Sequence, residues 1–291
     1  MARQFRVLVA TDGSAPAKAA LATTVQFPWP THTRVRAVIA RRTREKHRRS
    51  ILLAALDRSA DLAAAGAQRV LSQRWPDGGV VVVDKMPVDG VLGEAERLGA
   101  DVIVLGWRGH GAVRRLLMGS VSRGVVRRAR CAVLVVRHRP QGVRRIVIGI
   151  DGSATAQRVV TLVARLTPPR GGRVTLVSAV EPIAPPSQAL APGAMRATVG
   201  REVRRMNAAR ATTAIKKLNR AAAELKRSGW QTRTVFTSGE PLRDLLATVG
   251  TERAHLLIVG AKGVSGVRHL FLGSVADGVL NRCPVPVLVV R

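Results

Sequence analysis

The chain contains an internal repeat, and this repeat constrains its fold more than any other feature. Residues 100–137 align without gaps on residues 254–291, and 17 of the 38 aligned positions are identical. Residues 7–14 parallel residues 146–153 in the same way, because each segment is an apolar run followed by Asp-Gly-Ser. Self-similarity at both the start and the end of the two halves indicates that a single structural unit occurs twice.

The repeat also sets the expected domain boundaries. We expect one domain at residues 1–138, a linker at 139–144 and a second domain at 145–291. The offset between the copies grows from 139 residues at the start to 154 at the end, so the second copy carries an insertion. Prolines mark its place as an irregular loop around residues 181–205, and they are Pro182, Pro185, Pro186 and Pro192.

Short apolar runs alternate with helical patterns within each copy. In the first copy, strands are expected near 5–11, 34–40, 79–84, 101–106 and 132–136, with helices near 15–26, 49–73, 88–98 and 119–129. This alternation predicts a parallel sheet with helices on both faces. The expected fold is therefore α/β, with two tandem five-stranded, Rossmann-like sheets. On the second helix, the expected buried face consists of Ile51, Leu52, Ala55, Leu56, Leu62 and Ala63.

Two motifs follow strands in each copy, where open parallel sheets bind their ligands. The first is Asp-Gly-Ser after strand one, beginning at Asp12 and at Asp151. The second is Gly-x-x-Gly, nine residues and Gly-Ser, formed by Gly106, Gly109, Gly119 and Ser120 and again by Gly260, Gly263, Gly273 and Ser274. Glycines let main-chain N–H groups approach phosphate oxygens, and a helix N-terminus favours anions. The motifs therefore predict a phosphate-binding site in each copy.

Individual roles follow from residue chemistry, with alternatives left open. Asp12 and Asp151 can accept hydrogen bonds from a ribose or from nearby backbone. Ser120 and Ser274 can cap the helix that they open or donate a hydroxyl to phosphate, and Arg114 and Arg268 can neutralise phosphate charge. Trp107, inside the first Gly-x-x-Gly, can narrow the pocket or stack on a base. The alternative to all of these roles is a pair of turns and helix caps without a ligand.

These motifs resemble the universal stress protein family, whose ATP-binding members carry G-2x-G-9x-G-(S/T). The resemblance implies two ATP sites, with Mg²⁺ or Mn²⁺ carried by the nucleotide rather than by protein ligands. It also implies that strands 132–136 and 286–290 pair internally as a pseudo-dimer, and that the protein is a nucleotide-dependent stress regulator or sensor. The implied nucleotide-binding residues are Asp12, Ala40, Gly106, Gly109, Arg114, Gly119, Ser120 and Val121, and in copy two Asp151, Ala179, Gly260, Gly263, Arg268, Gly273, Ser274 and Val275.

Composition restricts the remaining functions without choosing among them. The formal net charge of +30 attracts anions in general, so nucleic acid and an acidic protein are alternative partners. The two cysteines form no disulfide framework or zinc motif, and no signal or transmembrane segment is evident, so we expect a cytoplasmic protein. No motif for fast catalysis is present, which favours binding over turnover. A slow ATPase and a basic nucleic-acid-associated stress factor remain alternative functions, and further pairing into homodimers stays open.

Overall fold

The structure of the chain is a computed structural model that describes residues 3–41, 51–109, 118–140, 142–184, 193–263 and 272–291. Ten strands form one sheet in these residues. In the first copy they are β1 (Arg6–Ala10), β2 (Arg34–Arg41), β3 (Gly79–Asp84), β4 (Val102–Gly106) and β5 (Ala132–Val136). In the second copy they are β6 (Arg145–Gly149), β7 (Arg173–Ala179), β8 (Gln231–Thr237), β9 (Leu256–Gly260) and β10 (Val287–Val290).

The described helices alternate with these strands as the sequence predicts. In the first copy they are α1 (Ala15–Gln26), α2 (Ile51–Ser72), α3 (Pro87–Leu98) and α4 (Ser120–Arg128). In the second copy they are α5 (Ala154–Arg165), α6 (Gly193–Arg227), α7 (Pro241–Thr251) and α8 (Ser274–Arg282). The predicted α/β class with two tandem five-stranded parallel units is therefore confirmed.

The five strands of each copy are parallel, and the two units join edge to edge. The strand order is β3-β2-β1-β4-β5-β10-β9-β6-β7-β8, and only the β5–β10 pair in this order is antiparallel. Leu134 lies opposite Leu288 in that pair, and both side chains are fully buried. The predicted pseudo-dimer pairing is thus confirmed. Because the seam is antiparallel, the carboxyl ends of the two sets of strands point to opposite edges of the sheet.

A separate apolar core covers each face of the sheet, and each core runs through both copies. Helices α1, α2, α5 and α6 pack on one face, where Val7 and Val9 point. Helices α3, α4, α7 and α8 pack on the other, where Leu8 points. Alternate strand residues feed the two cores because successive side chains of a strand point in opposite directions.

The predicted buried face of α2 is wrong at Leu62. That side chain is 75% exposed, whereas Ala60, Ala67 and Leu71 are the buried residues of this helix. Two helical positions differ by about 200° around the axis, so Leu62 lies nearly opposite Ala60. The predicted positions Ile51, Leu52, Ala55 and Leu56 have side chains outside the described residues.

The predicted loop of the second copy is wrong in its second half, because residues 193–205 begin the long helix α6. Its buried positions, Ala214, Leu218, Ala221 and Leu225, all lie in the C-terminal half. The N-terminal half is held by a few polar contacts. The Asn207 amide exchanges two hydrogen bonds with the backbone of Ile183, and Arg210 donates to the carbonyl of Glu181. Among the described helices, none is long and apolar enough for a membrane span.

Candidate functional site

The Asp-Gly-Ser turns have the same geometry in both copies. Asp12 Oδ1 accepts the Ser14 N–H at 3.0 Å, and Asp151 Oδ1 accepts the Ser153 N–H at 2.9 Å. The glycine between them has a positive φ in each copy, 77° and 79°, which a residue with a side chain rarely adopts. Ser14 and Ser153 then cap α1 and α5. The turn therefore fixes the orientation of the aspartate carboxylate at the end of the first strand of each copy.

The two glycines of each Gly-x-x-Gly are required by close contacts with this first turn. A Cβ on Gly106 would lie 2.7 Å from the carbonyl carbon of Pro16, and one on Gly260 would lie 2.8 Å from Thr155 Cγ2. A Cβ on Gly109 would collide with Asp12 Oδ2, and one on Gly263 would lie 2.9 Å from Asp151 Oδ2. The fold thus brings the second glycine of each motif against an aspartate carboxylate that is distant in sequence.

The Gly-Ser pair closes each site at a helix N-terminus. The Gly119 N–H donates to the Trp107 carbonyl at 3.0 Å, and the Gly273 N–H donates to the Ala261 carbonyl at 2.8 Å. A Cβ on Gly119 or Gly273 would lie 3.8 or 3.7 Å from the N atom of Gly109 or Gly263, respectively. The phosphate-loop glycines therefore lie side by side, next to the aspartate, in both copies.

Glycine, and not serine, is the N-cap residue of α4 and of α8. Neither helix has a side-chain cap hydrogen bond, and Ser120 and Ser274 are exposed first residues of their helices. The capping role predicted for these serines is wrong, because a residue that already has helical geometry lies past the cap position. The N-cap residue of each helix thus supplies no side-chain acceptor to the main-chain N–H groups of the first turn, which suits the helix end to an anion.

The remaining predicted residues lie around this centre. Ala40 and Ala179 are partly buried near the ends of β2 and β7, at the same edge of the sheet as the aspartate of their copy. Val121 and Val275 are partly buried and pack against the core on the α4 and α8 face. Arg114 and Arg268 lie outside the described residues.

The two sites differ at their borders. In copy one, Arg41 donates to Asp84 at 2.6 Å and to Asp57 at 2.8 Å, and the hydrogen bond to Asp84 raises the pKa of the Arg41 guanidinium. In copy two, Lys217 of α6 lies against Gly152, with its ammonium 3.4 Å from the Gly152 carbonyl oxygen. Sequence reasoning missed Lys217. The 154-residue offset aligns Lys217 with Ala63, whose Cβ lies beside Gly13, but this neighbour is visible only in the folded chain.

Trp107 does not take the base-stacking role predicted from the sequence. Its side chain is 8% exposed, and its indole N–H donates to the Leu280 carbonyl of α8 at 3.0 Å. Guanidinium groups lie over the ring, with Cζ of Arg137 at 3.8 Å and Cζ of Arg108 at 4.4 Å from its centroid. The ring therefore packs between the copies, and the prediction that it stacks on a base is wrong.

Metal ligands and titrating groups are sparse in the described residues. They contain no group of three or more His, Cys, Asp or Glu side chains arranged to hold a metal ion. Burial raises the pKa of the Cys131 and Cys283 thiols to about 11, and both are free cysteines. The described centre of each site thus offers backbone N–H groups and one carboxylate, with the Lys217 ammonium beside it in copy two.

Comparison with known proteins identifies the family. The model of the universal stress protein family matches residues 5–137 and again residues 142–291. The chain belongs to the universal stress protein family. Both copies of the repeat are thus universal stress protein units, and the resemblance seen in the glycine motifs extends over nearly the whole chain.

Curated and structural relatives agree with this assignment. Universal stress protein Rv2005c of Mycobacterium tuberculosis is 30% identical over 209 residues, which cover 66% of this chain and 62% of that protein. Rv1996 of the same organism is 32% identical over 204 residues, covering 65% and 58%. The chain therefore spans less than two thirds of these relatives. A universal stress protein structure from Archaeoglobus fulgidus, 18% identical, covers 98% of both chains with a TM-score of 0.66 and supports the fold.

Proposed function

We propose that this universal stress protein binds ATP at two sites, one in each copy, and acts as a nucleotide-dependent stress regulator. The observation that carries the proposal is the repeated apposition of the second Gly-x-x-Gly glycine and an aspartate carboxylate. Gly109 meets Asp12 and Gly263 meets Asp151 in the same way, although neither pair is close in sequence. A glycine loop beside an uncapped helix N-terminus suits phosphate, and a fixed carboxylate suits a ribose hydroxyl.

The supporting geometry also indicates how each group would act. Main-chain N–H groups at the start of α4 and α8 would bind phosphate oxygens, with the exposed Ser120 and Ser274 hydroxyls as further donors. Asp12 and Asp151 would orient the sugar. Mg²⁺ or Mn²⁺ would offset phosphate charge and be held mainly by the nucleotide, since the described residues provide no ligand cluster.

Binding rather than turnover is the activity that these residues favour. A general base must reach the attacking group, and the described part of each site contributes only one carboxylate, which the turn already orients. A slow ATPase remains the alternative on the same fold. It predicts phosphate release that is lost in Ser120→Ala with Ser274→Ala while nucleotide binding persists.

Nucleic-acid binding has less support than nucleotide binding. Helix α6 exposes many basic side chains, which is the observation in its favour. However, none of the described Phe and Trp side chains is exposed, so the described surface offers no ring for stacking unpaired bases. Binding to single-stranded DNA or RNA that falls steeply with salt and ignores the glycine loops would favour this alternative.

Calorimetric titration with Mg-ATP tests the proposal, using nucleic-acid-free protein at a salt concentration that suppresses loose anion binding. Gly109→Ala and Gly263→Ala each force a methyl group onto an aspartate carboxylate and displace it, so each should weaken ATP binding at one site. Loss of one charge-assisted hydrogen bond corresponds to about 10- to 100-fold in affinity. Gly250→Ala is the matched control, because an added Cβ there meets no atom within 4 Å.

The expected result, counting only ATP bound with the parent's affinity, is two equivalents for the parent and the control, one for each site variant and none for the double variant. Absence of saturable binding in the parent, or full binding by the double variant, would refute the proposal.

A further inference from the structure

Trp107 connects the phosphate loop of copy one to the helix that carries the phosphate site of copy two. Its backbone N–H donates to Val136 at 2.7 Å, and its carbonyl accepts the N–H of Gly119, the N-cap residue of α4. Its indole N–H donates to Leu280, in the last turn of α8. One residue thus holds the start of one anion-binding helix and the end of the other.

The side chain of Trp107 has little freedom to move without α8. The ring is buried under the Arg137 guanidinium, and Arg137 donates to the carbonyls of Leu280 at 3.3 Å and Asn281 at 2.8 Å. Burial lowers the pKa of Arg137, and the guanidinium remains charged because its usual pKa is so high. The cation over the ring and the hydrogen bonds to α8 therefore form one contact network shielded from water.

Helix α8 joins this network to the site of copy two. It has nine residues, so it is about 13 Å long, and its N-cap is Gly273. The antiparallel seam turns copy two around, so the C-terminal end of α8 reaches the sheet edge where copy one has its site. A short helix moves as a rigid rod, so a constraint on Leu280 is felt at Gly273.

The connection through the indole is present on one side only. The arginine contact is reciprocal, because Arg291 donates to the carbonyls of Val126 and Arg127 at the end of α4. The indole contact is not. Ala261 takes the place of Trp107 in copy two, where its backbone bonds Val290 and Gly273 in the same way but its methyl group provides no donor.

We propose that Trp107 couples the two nucleotide sites, so that occupancy of the copy-one loop raises the affinity of the copy-two site. This inference rests on the proposed function. Phosphate on the copy-one loop would hold the backbone of Trp107 and Gly119 more tightly, and through the indole the end of α8. The second nucleotide then meets a helix whose C-terminal end is held more tightly, which lowers the entropic cost of its binding. Linkage makes the effect reciprocal between the sites.

The test compares ATP binding by the parent with the sum of the two single-site variants, Gly109→Ala and Gly263→Ala. Independent sites would give a parent isotherm equal to that sum. Coupling shifts the binding isotherm of the parent to lower free ATP concentrations than that sum. The affinity of the second site, once the first is occupied, is then about fivefold or more above its affinity in the single-site variant. If both variants bind and the parent equals their sum, or binds more weakly, the coupling is refuted and the proposed function stands. If neither variant nor the parent binds, the proposed function itself fails.

A second comparison assigns the coupling to Trp107. Trp107→Phe keeps a ring under Arg137 and removes the indole N–H. In a protein that carries this substitution, the two-site isotherm should therefore equal the sum of the two single-site isotherms. Trp75→Phe is the control, since Trp75 lies in copy one, stacks against Arg74 and makes no such bond to α8. Arg137→Met, which frees the same ring, should also reduce the coupling and serves if Trp107→Phe does not fold. Undiminished coupling in these variants would refute the role of Trp107.

Discussion

The seam between the two copies should make a large contribution to stability, and Leu134→Ala measures it. Leu134 is fully buried at the centre of the antiparallel β5–β10 pair, directly opposite Leu288. Truncating a buried leucine typically costs about 2–5 kcal/mol, and a site packed on all sides collapses little, so we expect about 3 kcal/mol. Leu288→Ala should cost about the same, because it occupies the equivalent position across the seam.

The double variant carries further information about the seam. Because the two side chains pack in one core, truncating both should cost less than the sum of the single variants, by about 0.5–3 kcal/mol. Equilibrium unfolding in urea, followed by far-ultraviolet circular dichroism, gives these free energies. Val82→Ala is the control, because Val82 is 37% exposed on the edge strand β3, and it should cost less than about 1 kcal/mol.

The seam prediction also has a qualitative part. Both copies share each apolar core, so the parent should unfold in one transition that moves as a whole in the seam variants. Two unfolding transitions, of which only one shifts in the seam variants, would refute the reasoning. So would a loss of unfolding free energy for Leu134→Ala that is no larger than the loss for Val82→Ala.

Two further predictions concern single polar residues. Burial, followed by the nearby charges of Arg145 and Arg144, lowers the pKa of His255, whose Nδ1 accepts the Arg144 N–H at 3.2 Å. The folded state thus binds fewer protons, and the contribution of His255 to stability is present above about pH 6.5 and lost as the pH falls below it. Urea unfolding across this range should show a smaller pH dependence for His255→Asn, and an unchanged dependence would contradict the assignment. Lys217→Ala should weaken ATP binding at the copy-two site by up to about fivefold, measured calorimetrically in the Gly109→Ala background. Lys216→Ala, one position along the same exposed helix, should have little effect, and equal losses from both would contradict a local role for Lys217.

The fold was largely predictable from the sequence because its signals are local and occur twice. Apolar runs such as residues 102–106 and 132–136 mark buried parallel strands, and the repeat confirms each run independently. The seam was expected only through the family resemblance, since nothing in the spacing indicates which edges meet. Leu62 shows what hydrophobic periodicity cannot predict. The pattern indicates a helix, but it does not determine which side of that helix packs against the sheet.

The site was predictable in its residue types and much less so in its contacts. The glycine spacing indicates a phosphate loop, but the reason for Gly109 is the Asp12 carboxylate, a neighbour only in the folded chain. Ser120 was assigned a capping role that belongs to the preceding glycine, because a shift of one residue at a helix start does not show in the sequence. The sequence-based prediction placed the Trp107 side chain at the site of its own copy, whereas its hydrogen-bond partner Leu280 belongs to the other copy.

Joining the two copies in one chain has a consequence for how they can diverge. In a symmetric dimer of identical subunits, every substitution at the interface occurs twice. Here the equivalent positions hold different residues, with Trp107 in copy one and Ala261 in copy two. A bulky ring can thus occupy one side of the interface without a symmetry-related second ring that would need the same space. Joining the copies in one chain thus allows an asymmetric interface that symmetry would otherwise keep identical on both sides.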